Sequence, residues 1–270
     1  MWSAESHSSH PSRHLRVALL GDRLVLSLGG AAAREIGLDA PGKEEPAWQP
    51  AVAALADQLA KQRGQVSRVS VVLGASFVRW QLVDWPPQAG SDTELQAFLR
   101  LRFRGVYGAA SAAWRLAHAV ASPGQALPAC AVDEALPAAL VQATKGAGAR
   151  LVSVRPYVSS ALDHWRGQWR GRTAWVAVVE PGHLTLALLD ARGHWLGLGA
   201  VHRAEGPAWR EALAGLQSRL ALQSPVPVPR EALLFVAGPG VDTACDPAWR
   251  ALVPTGRVAP HGLTRLLIGI

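Results

Sequence analysis

One order of elements occurs twice along the chain, and this repeat is the strongest constraint on the fold. Two short apolar runs, 15–20 and 24–28, flank Gly21-Asp22-Arg23 and predict a β-hairpin. In the second half, the runs at 175–180, 184–190 and 194–201 predict a β-meander with turn residues between its strands. In each half, these antiparallel strands are followed by helical and strand-like segments, so the sequence predicts two α/β lobes in tandem.

The segments that follow the hairpin and the meander supply the rest of each lobe. Ser91 precedes a helical pattern and Glu94 follows three residues later, which is the pattern of a capping box. Helices are predicted at 51–63, 92–107, 134–146, 158–169 and 208–222, and strands at 69–73, 77–83, 114–120, 126–132, 151–155 and 233–236. Residues 37–50 are predicted as a loop, and 262–270 as a final strand or a short helix.

Length and composition favour a folded protein of two units. The chain has 270 residues, of which 49% are hydrophobic and 17% charged, and this excludes a disordered chain. We expect a disordered Ser/His-rich tail at 1–14, a first lobe with an inserted subdomain at 15–170, and a second lobe at 171–270. No run reaches the ~18 consecutive apolar residues of a membrane-spanning helix, so we expect a soluble, cytoplasmic protein.

The positive net charge is compatible with two kinds of partner. The net charge is +7 and arginine is strongly preferred over lysine, which suits nucleic acid or an anionic membrane surface. The basic residues are scattered, however, and no aromatic–basic signature of RNA-binding domains occurs, so no nucleic-acid partner is expected. The two cysteines, Cys130 and Cys245, lie far apart among small residues and predict packing roles. No metal is expected, because cysteines and histidines at zinc-site spacing are lacking.

The order of elements in each half is that of a ribonuclease-H-like unit, and two such units in tandem form the actin-like plan. Within it, residues 69–163 resemble the PilM family, which includes the MSHA-biogenesis and GspL-type cytoplasmic proteins of type IV pilus and type II secretion machines. The motifs that carry the resemblance are Val71-Val72-Leu73, Phe77-Val78-Arg79, Tyr107-Gly108, Trp114, Cys130-Ala131-Val132-Asp133, Leu151 to Pro156, and the helix start near Ser159.

The resemblance implies an actin-like fold and a scaffold role on the cytoplasmic face of the inner membrane. There the protein would bind the cytoplasmic tail of a PilN-like bitopic membrane protein, and a homodimer is left open. The alternative is an actin-like ATP-binding protein or ATPase with an atypical phosphate site. A third reading, a nucleic-acid enzyme with a ribonuclease-H-like lobe, requires a carboxylate cluster for two metal ions, and none can be assembled from the sequence.

Nucleotide chemistry depends on glycine-bearing hairpins, and here they are degenerate. Active actin-like ATPases use Asp-x-Gly turns, in which backbone N–H groups approach the phosphates closely. The corresponding turns contain Gly21 and Asp22, then Glu180 and Gly182 around a proline, and finally Gly238 and Gly240 around another proline. Asp22 and Glu180 are the only candidate Mg²⁺ ligands. We therefore expect no cofactor and no enzymatic activity, with ATP as the one open candidate.

A binding protein must present a surface to its partner. Phe77, Arg79, Trp80 and Trp85 lie near a Pro-Pro turn and are candidates for such a surface, because tryptophan combines an apolar ring with a polar N–H. A tryptophan-rich core would explain the same residues. Arg100 and Arg104, in the predicted helix 92–107, offer positive charge to acidic tails or phospholipid head groups, or form a solvated helix face.

Overall fold

The structure is a computed structural model, and it describes residues 13–87, 89–119, 123–202, 209–229, 232–238 and 250–252. In chain order the elements are β1 His14–Leu19, β2 Arg23–Leu28, β3 Arg34–Gly37, α1 Gln49–Lys61, β4 Arg68–Leu73, β5 Arg79–Val83, α2 Asp92–Tyr107, β6 Trp114–His118, β7 Leu127–Asp133, α3 Ala135–Gly146, β8 Arg150–Pro156, α4 Tyr157–His164, α5 Arg166–Trp169, β9 Ala174–Glu180, β10 His183–Leu189, β11 Trp195–His202, α6 Trp209–Gln223, β12 Leu233–Ala237 and β13 Arg250–Ala251. Two 3-10 segments, Ala75–Phe77 and Gly108–Ala113, precede β5 and β6.

The two large sheets have the same topology, which confirms the predicted repeat. The first sheet has the order β3-β2-β1-β4-β8, and the second has the order β11-β10-β9-β12-β13. In each sheet the first three strands form an antiparallel meander, and the fourth strand runs parallel to the first. The fifth strand runs parallel to the fourth. The boundary expected between residues 170 and 171 falls between α5 and β9.

Alternation along β1 divides its side chains between two cores. Leu15, Val17 and Leu19 pack with α1 and α3, whereas Ala18 belongs to a second core between the lobes. This alternation is the period of two that a strand imposes. The interlobe core is built around Tyr157 of α4 and Trp169 of α5, and it also contains Val176 from β9.

The inserted subdomain is a three-stranded antiparallel sheet, β5-β7-β6, covered by α2. Leu95, Leu99 and Phe103 recur every four residues on α2 and are buried against this sheet. Ser91 caps the helix as predicted, because its Oγ accepts a hydrogen bond from the Glu94 backbone N–H at 3.3 Å. The Glu94 carboxylate accepts from the N–H of Gly90 at 2.8 Å and so completes the cap one residue earlier than a standard capping box.

Several boundaries differ from the sequence prediction. β3, residues Arg34–Gly37, lies just before the predicted loop and was not foreseen as a strand, because it is short and mostly polar. Phe77 was assigned to a strand but ends a 3-10 segment, and the strand begins only at Arg79. The helix predicted over 158–169 breaks at Trp165 into α4 and α5. The segment 262–270 and most of the tail 1–14 lie outside the described residues, although His14 already belongs to β1.

Within the described ranges, none of the helices has the length and apolarity needed to cross a bilayer.

The cap of α2 leads to a stability prediction. Replacing Ser91 with alanine removes the acceptor for an N-terminal N–H, and we expect the free energy of unfolding to fall by about 1 kcal/mol. Urea unfolding followed by circular dichroism measures the change. Thr93→Ala alters an exposed side chain in the same helical turn and serves as the control. Equal stability of the two variants would contradict a capping role for Ser91.

Candidate functional site

The turn between β1 and β2 is the first of the three candidate phosphate loops, and it packs against protein. A Cβ atom added to Gly21 would lie 2.8 Å from the Oγ of Ser76, so the turn leaves no room there for a side chain. Asp22 forms an ion pair with Arg23, which also binds Glu35 at 2.6 Å. The Asp22 carboxylate is therefore already engaged by a cation of its own lobe.

The turn between β9 and β10 reaches across to the first lobe. Glu180 ends β9, and its Oε1 accepts a hydrogen bond from the backbone N–H of Ala75 at 2.9 Å. Ala75 begins the 3-10 segment that follows β4, next to the serine that contacts Gly21. One short segment of the first lobe thus contacts both hairpins.

Burial controls the protonation of Glu180. The residue is 2% exposed, and desolvation raises the pKa of its carboxyl to about 7, against a smaller lowering by the hydrogen bond from Ala75. A carboxyl with this pKa is partly protonated near neutral pH. Such a group is a weak candidate for holding Mg²⁺, which requires an ionised carboxylate.

The remaining loop glycines have conformational roles. Gly182 has φ 69° in the β9–β10 turn, a conformation that glycine adopts without a steric penalty. Gly238 follows β12, and a Cβ atom there would lie 1.9 Å from the carbonyl oxygen of Val179, so only glycine allows this close approach. Gly240 lies outside the described residues.

These contacts do not form a metal–nucleotide site among the residues that the structure describes. No group of three or more histidine, cysteine or acidic side chains comes together there. Pro181 lacks the backbone N–H that a phosphate-binding turn would donate. Asp22 and Glu180 bind Arg23 and Ala75 instead. The residues present therefore do not fit a Mg²⁺–nucleotide complex.

A groove lies between the inserted subdomain and the first lobe, and two adjoining cavities of about 330 and 300 Å³ form it. Ala117, Cys130 and Pro156 line both cavities, so the two lie side by side. We call this surface the insert groove. One of its sides is β6, an edge strand of the inserted sheet, and the other is β8, an edge strand of the first lobe's sheet.

The walls of the insert groove combine apolar surface with a few charges. Trp80 and Trp195 line one end and stack on each other with ring centroids 6.4 Å apart. Burial raises the pKa of the Cys130 thiol to about 11, so this side chain is neutral and behaves as apolar surface. Arg115 lines the other end, and the ion pair between Arg155 and Asp163 lies beside the tryptophans.

The structure separates the six residues predicted for partner binding. Trp80 lines the insert groove, whereas Phe77 is only 8% exposed in the first-lobe core and is not a surface residue. Trp85 packs against the core of the inserted subdomain. Arg79 is exposed and donates to the carbonyl oxygen of Ser76 at 3.2 Å. The last two, Arg100 and Arg104, are exposed on α2 and do not line the groove.

Sequence reasoning missed most of the groove. Trp195, Ala117 and Arg155 come from three distant segments, and no local pattern links them. The only available signal was alternation along β6, where Arg115 and Ala117 face the groove while Trp114 and Leu116 pack inward. Alternation shows that a strand has two faces, but it does not identify what each face meets.

The comparisons with known proteins agree on the fold. No protein-family model and no curated protein sequence matches the chain. A structure described as the PilM-PilN type IV pilus biogenesis complex matches with a TM-score of 0.57 at 14% identity, over 86% of this chain and 82% of the other. The cytoplasmic domain of EpsL, an inner membrane component of the type II secretion system of Vibrio cholerae, matches with a TM-score of 0.56 at 17% identity, over 94% and 92%.

A protein of unknown function from Bacteroides thetaiotaomicron, described as having an actin-like ATPase fold, matches with a TM-score of 0.56 at 11% identity, over 89% of this chain and 88% of the other. The chain thus has an actin-like fold and resembles PilM and the EpsL cytoplasmic domain in structure. This confirms the predicted fold class and the resemblance drawn from the sequence motifs.

The raised pKa of Glu180 predicts that the protein becomes less stable as the pH rises through 7. The folded state holds the Glu180 proton up to about pH 7, whereas the ordinary pKa is 4.5. Its contribution to stability is therefore fully present below the ordinary pKa and is lost as pH rises through 7. Between pH 5 and pH 8, we expect the free energy of unfolding of the wild type to fall by about 2.5 kcal/mol relative to that of Glu180→Gln, which cannot titrate.

Urea unfolding at a series of pH values measures this difference. Glutamine keeps an oxygen that can accept from Ala75, so the variant isolates the titration rather than the contact. Glu44→Gln, a change at an exposed acid, should follow the wild-type profile. Parallel profiles for the wild type and Glu180→Gln would show that Glu180 does not titrate in this range.

Proposed function

We propose that the protein is a scaffold of a type IV pilus or type II secretion-like assembly, and that it binds the cytoplasmic tail of a PilN-like bitopic membrane protein. The insert groove is the observation that carries this proposal. The structural likeness to a PilM-PilN complex and to the cytoplasmic domain of an inner membrane component supports it. In this role the protein would act at the cytoplasmic face of the inner membrane.

The groove has the features that an extended peptide requires. Strands β6 and β8 present sheet edges along its sides, and a peptide can pair with such an edge while alternate side chains enter the cavities. Apolar side chains of the peptide would meet Pro156, Cys130 and the tryptophan pair. The Nε1–H of Trp80 is buried and has no hydrogen-bond partner among the described residues, so a peptide carbonyl that reached it would satisfy an unpaired donor.

Charge supports the same assignment of partner. Arg115 is exposed at one end of the groove, and among the described residues no acidic side chain pairs with it. A tail with apolar residues and one acidic residue would complement this lining. A synthetic peptide with this composition, based on the cytoplasmic tail of a PilN-like protein, is the first probe to use.

Blocking the groove provides a direct test. Ala117 is exposed on β6 and lines both cavities, so Ala117→Arg fills the groove without disturbing the core. We expect this change to weaken binding of a fluorescent synthetic tail peptide at least about tenfold, measured by fluorescence anisotropy. Ala113→Arg, an exposed alanine outside the groove, is the matched control.

Equal affinity of the peptide for the two variants would remove the groove from the binding surface. A peptide that binds neither the wild type nor the control would contradict the proposed partner itself. The folded state of each variant is checked by thermal unfolding, which should agree within a few degrees.

We propose further that the protein is not an enzyme and binds no nucleotide. Two contacts support this proposal: the Asp22 carboxylate is paired with Arg23, and the Glu180 carboxyl is buried against the backbone N–H of Ala75. The competing function, an ATP-binding protein or ATPase with an atypical phosphate site, would require the Glu180–Ala75 contact to open.

Isothermal titration calorimetry with Mg²⁺–ATP distinguishes the two functions. We expect no binding heat above that of a buffer-matched injection, and no phosphate release in a hydrolysis assay. Micromolar binding would overturn the proposal and would make Asp22 and Glu180 the first residues to mutate.

A further inference from the structure

One half of the first lobe's sheet carries a set of basic side chains that the proposed tail-binding function does not use. In the register of the sheet, Arg68 of β4 lies between His14 of β1 and Arg150 of β8. Two residues further along, Arg16 of β1 pairs with Ser70 of β4. Partners in register lie on the same face of a sheet, as do residues two apart on one strand. We call His14, Arg16, Arg68, Ser70 and Arg150 the basic face.

The side chains of the basic face are close together. The Nε2 atom of His14 lies 2.9 Å from the Oγ of Ser70, which shows that both point to the same side. The pKa of His14 is lowered first by burial and then by the positive charges of Arg68 and Arg16, so both guanidinium groups act on the imidazole. Neighbouring strands are about 4.8 Å apart, which keeps Arg150 within reach of the same ligand.

No acidic residue balances these charges within the described part of the chain. Arg16, Arg68 and Arg150 are exposed, and none of them takes part in an ion pair there. Like charges directly opposite each other on adjacent strands repel, as Arg68 and Arg150 do. A row of this kind is stabilised when an anion lies among the guanidinium groups.

The second lobe shows that the fold does not require basic residues at these positions. Counting back from the equivalent hairpin turns, Ala174 and Val176 of β9 correspond to His14 and Arg16. Phe235 of β12 pairs with Val176 as Ser70 pairs with Arg16. These three residues of the second lobe are buried in the interlobe core. The first lobe has polar and basic residues at the same topological positions.

We propose that the basic face is a binding site for a phosphate-bearing anion, either a soluble phosphate compound or the head group of an anionic phospholipid. Arginine guanidinium groups supply paired N–H donors to phosphate oxygens, and the Ser70 hydroxyl and His14 ring add further hydrogen-bonding groups. An anion at this position would lie against the imidazole of His14, which therefore reports on binding.

The experiment follows His14 by NMR in the full-length protein, with His14→Gln to assign its resonance. Inorganic phosphate is the soluble probe, and sodium chloride at the same ionic strength is its control. Vesicles of phosphatidylglycerol and of phosphatidylcholine, tested by co-sedimentation, are the lipid probes. Arg68→Gln removes one charge from the basic face, and Arg219→Gln removes one exposed arginine from α6 as the matched control.

We expect phosphate, but not chloride, to raise the pKa of His14, and Arg68→Gln to weaken this response about tenfold while Arg219→Gln does not. This result identifies the ligand of the basic face as a soluble phosphate compound. In the other supporting outcome, phosphate does not change the pKa of His14, and phosphatidylglycerol vesicles bind the wild type but not Arg68→Gln. The ligand is then a lipid head group. An equal effect of chloride, an equal response of the two arginine variants, or no response to any probe overturns the proposal.

Discussion

The two lobes are held together by a shared core, and the positions of the other surfaces depend on it. Helices α4 and α5 lie between the two sheets and bury Tyr157, Trp165 and Trp169, each no more than 5% exposed. Rings of this size bury roughly 150–250 Å² each on folding, which contributes on the order of 4 kcal/mol per ring, and opening the lobes would forfeit part of it. The hairpin turns of the two lobes are therefore held close to each other.

The same core brings both hairpin turns onto the 3-10 segment Ala75–Phe77 of the first lobe. With the lobes fixed, Glu180 reaches Ala75 and the first hairpin packs on Ser76, so protein atoms lie between the two turns. The second lobe also fixes the inserted subdomain, since Trp195 stacks on Trp80 and the side chain of Gln125 contacts His194 at 2.9 Å. The same interlobe packing that closes the hairpins thus shapes the insert groove.

Local patterns predicted the fold well, and the sites poorly. The apolar runs joined by turn residues, and the Ser91 cap, depend on neighbours in sequence, and the structure confirms both. The insert groove and the basic face depend on contacts between residues far apart in the chain. Arg16 and Arg68 are separated by about fifty residues; in the sequence, Arg16 interrupts an apolar run and Arg68 only precedes one. Only the register of β1 against β4 places them together.

Because the two lobes share one topology, the same sheet face can be compared in both, and the comparison explains why it is apolar in the second lobe and partly basic in the first. In the second lobe, the sheet face toward α4 and α5 is apolar along β9, from Ala174 to Val178, and is covered throughout. In the first lobe, the same helices cover only the rows near Ala18, and the rows beyond carry Arg16 and Arg68. A single pair of helices between two sheets can cover one face completely and the other in part. Polar side chains suit the uncovered part, which faces water. Solvation does not require that its charged side chains all be positive, and this shared sign is the feature that indicates an anionic ligand.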